Sequence, residues 1–287
     1  MSHHRSIIIT GDDFGSSPQV NRAIIQAHEQ GVLTGASLMV TGEAWEEAVA
    51  LAKAHPQLAV GLHLVLSSGR SVLPPDQIPA LVDESGRFSS DLVRVGFRYQ
   101  MNHRARTQVK REIQAQLEKF HQTGLRLSHV DGHQQMHLPP IVLKTLIELS
   151  EEFGIKAIRL PSEELRLTLR LDRSGWVEKV KLSLLFGLLR VGYAKRLLQE
   201  AGMNCAERVY GLLQTGRMTE EYLLGLIPQI RADRVEIYSH PIVEGADRFL
   251  IDPLGAHPAQ LAALLSRRVR SALDSNGFRL GTYGEMN

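Results

Sequence analysis

Two adjacent carboxylates follow the first strongly apolar stretch of the chain. Asp12 and Asp13 lie in the segment Gly-Asp-Asp-Phe-Gly at residues 11–15, directly after the isoleucines at residues 7–9. At the end of a buried strand, two neighbouring carboxylates repel each other unless a cation or a shared proton offsets the repulsion. Because the chain also supplies histidines near the ends of later predicted strands, the sequence predicts a metal site here.

Further candidate side chains lie at the ends of three later predicted strands. They are His63 in the third strand, His129, Asp131, His133 and His137 in and after the fourth, and His240 after the seventh. In parallel α/β folds, ligands bind beyond the carboxyl ends of the strands, so these side chains are expected on one face. A lone buried histidine is more often a core residue, but the shared strand-end position favours a common site.

These residue types can carry out a metal-dependent hydrolysis. Two imidazoles and one carboxylate suit a divalent metal ion and leave positions open for water and substrate, with Zn, Mg, Co, Mn and Ni all compatible. A bound cation of this kind lowers the pKa of its water to about 7. Asp12, beside the predicted ligand Asp13, can deprotonate that water, and His240 can protonate the leaving group.

Other hydrolytic motifs fit the sequence poorly. His133 and His137 have the spacing of the zincin motif His-Glu-x-x-His, but Gln134 stands where the general base Glu belongs. A glycine before this run and two prolines after it predict a loop rather than a helix. Cys205 lacks a nearby acid–base pattern, and no nucleophile elbow, phosphate loop or dinucleotide fingerprint occurs.

The elements that position these side chains alternate between strands and helices in a single domain over residues 1–287. The predicted strands cover residues 6–10, 36–40, 58–66, 126–131, 155–160, 208–212, 234–239 and 278–283. The first predicted helix begins at Pro18, with Ser17 as its N-cap, and ends at Gly31. The later predicted helices cover residues 44–54, 106–123, 140–153, 176–201, 219–230 and 257–274, and residues 67–100 are predicted as a long loop. This alternation indicates an α/β fold, a TIM-barrel-like (β/α) barrel that is regular or distorted, although a doubly wound open sheet would alternate similarly.

Composition limits the class and the location of the protein. With 43% hydrophobic and 22% charged residues the chain is globular, and its single cysteine excludes an internal disulfide. The N-terminal residues lack an apolar signal segment, and the longest apolar stretch is too short to span a bilayer, so we expect a cytoplasmic protein. A net charge of +2 does not suggest a nucleic-acid partner, and the oligomeric state stays open.

Three segments together resemble the YdjC-like carbohydrate deacetylases. They are residues 11–15, 60–64 and 129–137, and the similarity extends over nearly the whole chain. The resemblance implies a (β/α)-barrel-like fold and metal-dependent removal of acetyl from an N-acetylated sugar. Carried over by motif position, it implies Asp13, His63 and His133 as metal ligands, Asp12 as catalytic base and His240 as acid.

Four shorter segments resemble the hopanoid-biosynthesis-associated branch of that family. They are residues 36–40, 69–75, 86–88 and 236–241. This branch implies an N-acetylglucosamine head group on a hopanoid lipid as substrate. The chain departs from the family pattern at Gln135, where many relatives carry a further histidine, so no role is carried over to that position.

Four further residues are expected near the ligands or the substrate. Asp131 is placed to orient a ligand imidazole, and His129 and His137 are candidates for supporting the ligands or contacting the sugar. Arg159, at the end of the fifth predicted strand, is expected to donate to the substrate or to the base, with a surface salt bridge as the alternative.

The segment 176–198 is the candidate for membrane contact. It combines five basic residues with several leucines and valines, a composition typical of a helix lying at a lipid interface, and an outer barrel helix packed on its strands is the alternative. The sequence thus favours a metal-dependent N-deacetylase acting on a glycolipid or a chitooligosaccharide. A metal phosphoesterase and a non-catalytic sugar or lipid carrier remain as alternatives.

Overall fold

A parallel sheet organises the computed structural model, which describes residues 5–189, 193–244 and 257–285. Within these residues the strands are β1 (Arg5–Phe14), β2 (Gly35–Leu38), β3 (Ala59–Leu64), β4 (Val130–Gly132), β5 (Arg208–Tyr210), β6 (Arg234–Ser239) and β7 (Phe278–Leu280). Their spatial order is β4-β3-β2-β1-β6-β5, and β7 pairs with the first residues of β1. All of these pairings are parallel.

Helices connect the strands along the chain. Those in the described ranges are α1 (Pro18–Gln30), α2 (Trp45–Ala54), α3 (Leu92–Met101), α4 (His103–Gln122), α5 (Pro140–Glu148), α6 (Ser150–Phe153), α7 (Leu165–Leu171), α8 (Trp176–Leu189), α9 (Lys195–Glu200), α10 (Glu220–Leu226), α11 (Pro258–Leu265) and α12 (Arg267–Ser275). The start of α1 is as predicted, because the Ser17 hydroxyl accepts from the backbone N–H of Val20 and proline occupies the first turn.

The sheet curls so that its two edge strands, β4 and β5, are linked through an irregular segment rather than through a regular strand. Val130 of β4 forms a single bridge to Ile158, and Ala157 forms one to Asn204 shortly before β5. Residues 155–160, predicted as a strand, therefore lie between the two edge strands without forming a continuous ladder. Pro161, which has no N–H to donate, follows directly. The prediction of an α/β, barrel-like fold is confirmed, and the barrel is distorted. Within the described ranges, seven strands and a bridging segment stand in place of the eight predicted strands.

Several predicted boundaries are corrected by local chemistry. Residues 67–100 are not all loop, because α3 begins after Asp91, whose carboxylate accepts from the backbone N–H of Arg94. The predicted helix over residues 257–274 is divided at Ser266, whose hydroxyl caps α12. The predicted helix over residues 176–201 is likewise represented by α8 and α9, and residues 190–192 between them lie outside the described residues. Helix α7 was not predicted.

Alternation along the strands builds a polar layer above an apolar one. Ile7 and Ile9 of β1 contact the large core cluster, whereas Ile8 contacts a small cluster that includes Tyr238 and Tyr283. Two residues further along the strand, on the face of Ile8, Thr10 is buried and donates to the Glu236 carboxylate at 2.7 Å. The barrel interior is therefore apolar below and charged toward the carboxyl ends of the strands.

A substitution at Gly61 in β3 tests this packing. A Cβ atom there would lie 2.4 Å from the His129 ring, which is buried and stacked on Tyr283 at a centroid distance of 4.7 Å. Because the ring has little room to shift, Gly61→Ala is expected to lower the free energy of unfolding by about 1–3 kcal/mol. The matched control is Gly96→Ala in α3, where no atom lies within 4 Å and alanine favours the helix. Equal denaturant midpoints for the two variants would contradict the prediction.

Candidate metal centre

The carboxyl end of β1 brings both aspartates of the first motif into one site. The register of β1 against β2 shifts between Gly11 and Phe14, and Asp13 has a left-handed φ of 62°. Regular alternation would send Asp12 and Asp13 to opposite faces. With this irregularity, Asp13 contacts His63 and His133 while Asp12 contacts Arg159. A positive φ at a non-glycine residue costs about 1–3 kcal/mol and is typical of functional sites.

The three residues proposed as ligands converge. The Asp13 Oδ1 atom lies 3.3 Å from His63 Nε2 and 3.1 Å from His133 Nδ1, and all three side chains are buried. Among the described residues, His63 Nε2 is buried without a hydrogen-bond partner, since its approach to Asp13 is poorly aligned for one. An orphaned imidazole nitrogen beside a carboxylate and a second imidazole fits a divalent cation.

A second group of side chains is close enough to hold a cation but is already occupied. Asp12, His63 and Asp131 also lie within 4.8 Å of one another. The two carboxylates of this group, however, are engaged by the Arg159 guanidinium. The group formed by Asp13, His63 and His133 is therefore the better candidate.

The pKa values of His63 and Asp13 are shifted by their contacts with each other and with neighbouring charges. Burial lowers the pKa of His63, but Asp131, Asp13 and Asp12 more than offset this and raise it to about 10. Burial raises the pKa of Asp13, but His133 and His63 lower it well below its usual range. A proton on His63 thus stabilises the carboxylate, and a metal ion at this site would have to displace it.

Arg159 is the most heavily paired side chain of the site. It is fully buried, and its Nη1 lies 2.6 Å from Asp12 Oδ2 and 2.5 Å from Asp131 Oδ2. Its Nη2 donates to Asp12 and Glu236 at 2.9 Å each, and its Nε donates to Glu236. Four of the five guanidinium N–H groups donate to Asp12 or Glu236, and Nη1 also forms an ion pair with Asp131. The geometry therefore supports the expected contact with Asp12 rather than one with a substrate, and Arg159 does not form a surface salt bridge.

Asp131 links this cation to the histidine of β3. Its Oδ1 accepts from His63 Nδ1 at 2.9 Å, and its Oδ2 accepts from the Ser37 hydroxyl at 2.8 Å. Burial raises the pKa of Asp131, but the positive charges of Arg159 and His63 lower it by more. The net pKa lies below its ordinary value, so the carboxylate stays ionised. The hydrogen bond to Nδ1 leaves His63 Nε2 directed at Asp13, which is the tautomer that a metal ligand requires.

The two remaining histidines lie behind the ligands. His129 Nε2 is 3.2 Å from the Ser37 hydroxyl. His137 Nε2 donates to the Arg159 carbonyl at 2.8 Å, and burial lowers the pKa of His137 to about 4. Both rings are buried, a position that favours support of the site over contact with a sugar. His137 and His133 do not share a helix, so a zincin site is not formed.

His240 lies at the end of β6 on the side of Asp12. Its Nε2 is 3.9 Å from Asp12 Oδ2, and its side chain is 13% exposed, more than that of any proposed ligand. The Gln260 side chain fixes the backbone of His240, accepting from its N–H and donating to its carbonyl. An imidazole and a carboxylate at this separation can serve one bound substrate as acid and base.

Two important side chains were missed by sequence reasoning. Glu236 is fully buried in β6, where its carboxylate accepts hydrogen bonds from Arg159 and from the Thr10 and Tyr283 hydroxyls. Ser37 in β2 bonds Asp131. A signal for Glu236 was available, because a carboxylate between two apolar residues of a predicted buried strand is rare unless it is paired.

The fold and the site define a barrel with a buried carboxylate–imidazole centre at the carboxyl ends of its strands. Residues 6–275 match the model of the family described as YdjC-like protein, and the chain belongs to that family. A mouse carbohydrate deacetylase is 30% identical over 304 residues, which cover 98% of this chain and 94% of the relative.

Two bacterial relatives and a solved structure extend the comparison. A Brevibacillus brevis carbohydrate deacetylase is 41% identical over 158 residues, and that alignment spans only 59% of the relative's length. A Serratia marcescens chitooligosaccharide deacetylase is 26% identical, with 98% of each chain covered. An Enterococcus faecalis structure, named as a candidate cellobiose-phosphate cleavage protein, has a TM-score of 0.73 at 24% identity over 98% of each chain. That structure supports the fold alone.

Asp131→Asn tests the support of the ligand set. Asparagine removes the charge that orients His63, so the affinity for Zn²⁺ is expected to fall about 10–100-fold in a chelator competition. The matched control is Ser37→Ala, which removes the partner of the other carboxylate oxygen and keeps the bond to His63. Zinc affinity in Asp131→Asn equal to that of the unchanged protein would refute this role.

Proposed function

We propose that this protein is a metal-dependent hydrolase that removes the acetyl group from an N-acetylated amino sugar. The observation that carries the proposal is the Asp13, His63 and His133 group, with its orphaned imidazole nitrogen, beside Asp12 and His240. The names of the mouse and bacterial relatives support the same chemistry. A divalent cation is the proposed cofactor, and the ligand set is compatible with several first-row metals.

Each residue has a defined part in the proposed reaction. When bound by Asp13, His63 and His133, the cation would supply Lewis acidity toward water and the acetyl carbonyl. Asp12 takes the proton of the attacking water, and Arg159 holds its carboxylate through two hydrogen bonds. His240 in its protonated form donates to the amine nitrogen as the carbon–nitrogen bond breaks. The products are acetate and the free amino sugar.

The N-acetylglucosaminyl head group of a hopanoid lipid is the proposed substrate. Its support is the resemblance of residues 36–40, 69–75, 86–88 and 236–241 to the hopanoid-associated branch. A chitooligosaccharide is the second candidate, favoured by the Serratia marcescens relative. A carrier without activity is disfavoured, because a binding protein has no need to hold a carboxylate such as Asp12 against a buried guanidinium.

The surface of α8 supports an approach to lipid. Its exposed apolar side chains include Trp176, Leu184, Leu185 and Leu188, which are 54–76% exposed. An ordinary barrel helix would bury such residues against its strands. Lys179 is not part of this surface, contrary to expectation, because its ammonium is buried and bonds Asp172 and Gln214. In the part of the chain that the structure describes, no helix is long and apolar enough to cross a membrane.

Acetate release tests the proposed reaction. Metal-stripped protein is given an N-acetylglucosaminyl hopanoid, free N-acetylglucosamine or a short chitooligosaccharide, with and without added divalent cation. Metal-dependent acetate release is expected, and Asp12→Asn is expected to lower it about 10²–10⁴-fold while substrate affinity persists, because the base is lost. The matched control is Asp172→Asn, which removes a carboxylate from the remote ion pair with Lys179.

The outcomes separate the candidate functions. Release from the lipid alone supports the hopanoid substrate, and release from the oligosaccharide supports the second candidate. If metal binds but none of the three substrates releases acetate, the deacetylase proposal is wrong. Turnover of phosphate esters in that case would indicate the phosphoesterase, and substrate binding without turnover would indicate the carrier.

Replacing leucines of α8 tests the membrane contact. Changing Leu184, Leu185 and Leu188 together to serine removes exposed apolar area, so binding to anionic liposomes is expected to weaken roughly tenfold or more. Hydrolysis of a soluble N-acetyl sugar should stay unchanged. The control replaces two exposed apolar residues of α3, Val93 and Phe97, with serine. Liposome co-sedimentation that is equal for both variants and the unchanged protein would refute the contact.

A further inference from the structure

The turn after β4 contains two glutamines in an unusual backbone conformation. Gln134 and Gln135 have φ values of 53° and 60°, and they directly follow the proposed ligand His133. Left-handed backbone at two consecutive non-glycine residues is costly, and such conformations are typical of functional sites.

The two glutamines differ in how their side chains are used. The carboxamide oxygen of Gln134 accepts hydrogen bonds from the Ser67 and Ser68 hydroxyls at 2.7 and 3.1 Å. These bonds connect the turn to the segment that follows β3. Gln135 is 8% exposed, and its Nε2 donates to the Tyr238 hydroxyl at 3.1 Å. Among the described residues, its Oε1 is buried without a partner. A buried carbonyl oxygen without a donor costs about 1–3 kcal/mol.

The surroundings of Gln135 place this oxygen at the proposed site. The partner of Gln135, Tyr238, lies between Arg159 and His240. The centre of its ring is 4.3 Å from the Arg159 guanidinium carbon and 6.0 Å from the centroid of the His240 ring. Gln135 therefore lies between the proposed ligand His133 and the proposed acid His240. We therefore expect a substrate held between these two residues to lie beside the Gln135 side chain.

We propose that Gln135 is a specificity-determining residue whose carboxamide oxygen accepts a hydrogen bond from the bound sugar. The inference rests on the proposed deacetylase function and deepens it. The donor is a neutral N–H or O–H group next to the scissile bond, either the acetamido N–H or a neighbouring hydroxyl. An acceptor oxygen here favours a substrate with a neutral donor over a phosphate ester, because the ionised oxygens of a phosphate have no hydrogen to donate to it.

Gln135→Met tests the contact because methionine has a similar length and no strong hydrogen-bonding group. The kcat/KM for an N-acetyl sugar is expected to fall about five- to tenfold, the effect of one hydrogen bond. Hydrolysis of 4-nitrophenyl acetate, which has neither an amide N–H nor a sugar hydroxyl, should not change. Gln135→Glu keeps an acceptor oxygen and is expected to retain more of the sugar activity than Gln135→Met.

Gln134→Met is the matched control for loosening of the turn. It removes the bonds to Ser67 and Ser68, so it should lower the thermal midpoint. Gln135→Met should lower that midpoint less, because it also removes an unpaired buried acceptor. Substrate affinity is measured by calorimetry in the Asp12→Asn background, where Gln135→Met is expected to weaken binding by a similar factor. Comparing a 2-O-acetyl sugar with the 2-acetamido sugar identifies whether the donor is the amide N–H or a hydroxyl.

The results distinguish this inference from the proposed function. If the unchanged protein hydrolyses N-acetyl sugars and Gln135→Met retains full kcat/KM and affinity, Gln135 does not contact the substrate. An equal loss on the sugar and on 4-nitrophenyl acetate would also overturn the inference, because it would indicate general disruption. If the unchanged protein neither binds nor hydrolyses any N-acetyl sugar, the proposed function fails and the inference fails with it.

Discussion

Charge balance around one buried guanidinium constrains the rest of this structure. Arg159 pairs with Asp12, Asp131 and Glu236, which come from three different strands. A buried charge is tolerated only with a well-placed partner, and loss of one partner leaves the other charge uncompensated. Because Arg159 lies on the irregular segment between β4 and β5, these ion pairs connect the least regular side of the barrel to β1, β4 and β6. The same pairs fix the carboxylate proposed as the base.

Arg159 alone does not neutralise the barrel interior. Among the described residues, this part of the interior holds four carboxyl groups, including that of Asp13, and one guanidinium, which is a formal excess of three negative charges. Two imidazoles face Asp13, and the pKa of one of them, His63, is raised to about 10, so protons make up part of the difference. A divalent cation would supply the same compensation without protonating the imidazoles. The charge arrangement therefore supports the proposed metal site, as the ligand types do.

The sequence predicted which residues lie at the site better than it predicted which side chains pair with one another. Polar residues at strand ends are visible in the chain, and the parallel fold places Asp13, His63 and His133 together, as expected. The partnership of Arg159 with Glu236 could not be predicted, because it depends on the spatial order of the strands and on the inward turn of an irregular segment. Helix α3 was missed for a different reason. Only Val95 and Tyr99 of this helix are buried, and it follows a stretch with three prolines and Gly86, so the whole region was predicted as a loop.

Strained backbone conformations occur next to the proposed site, where they lower the stability of the fold. Asp13, a proposed ligand, has a left-handed φ value, and so do Gln134 and Gln135, which follow the proposed ligand His133. The fourth such non-glycine residue in the described ranges is Ser68, whose hydroxyl donates to Gln134. With this backbone, the Asp13 carboxylate contacts His63 and His133, and the Gln134 side chain accepts from the Ser67 and Ser68 hydroxyls. The buried core and the Arg159 ion pairs hold these conformations in place. The strain is therefore local, and it falls where one strand and one turn must each present neighbouring side chains to the same small volume.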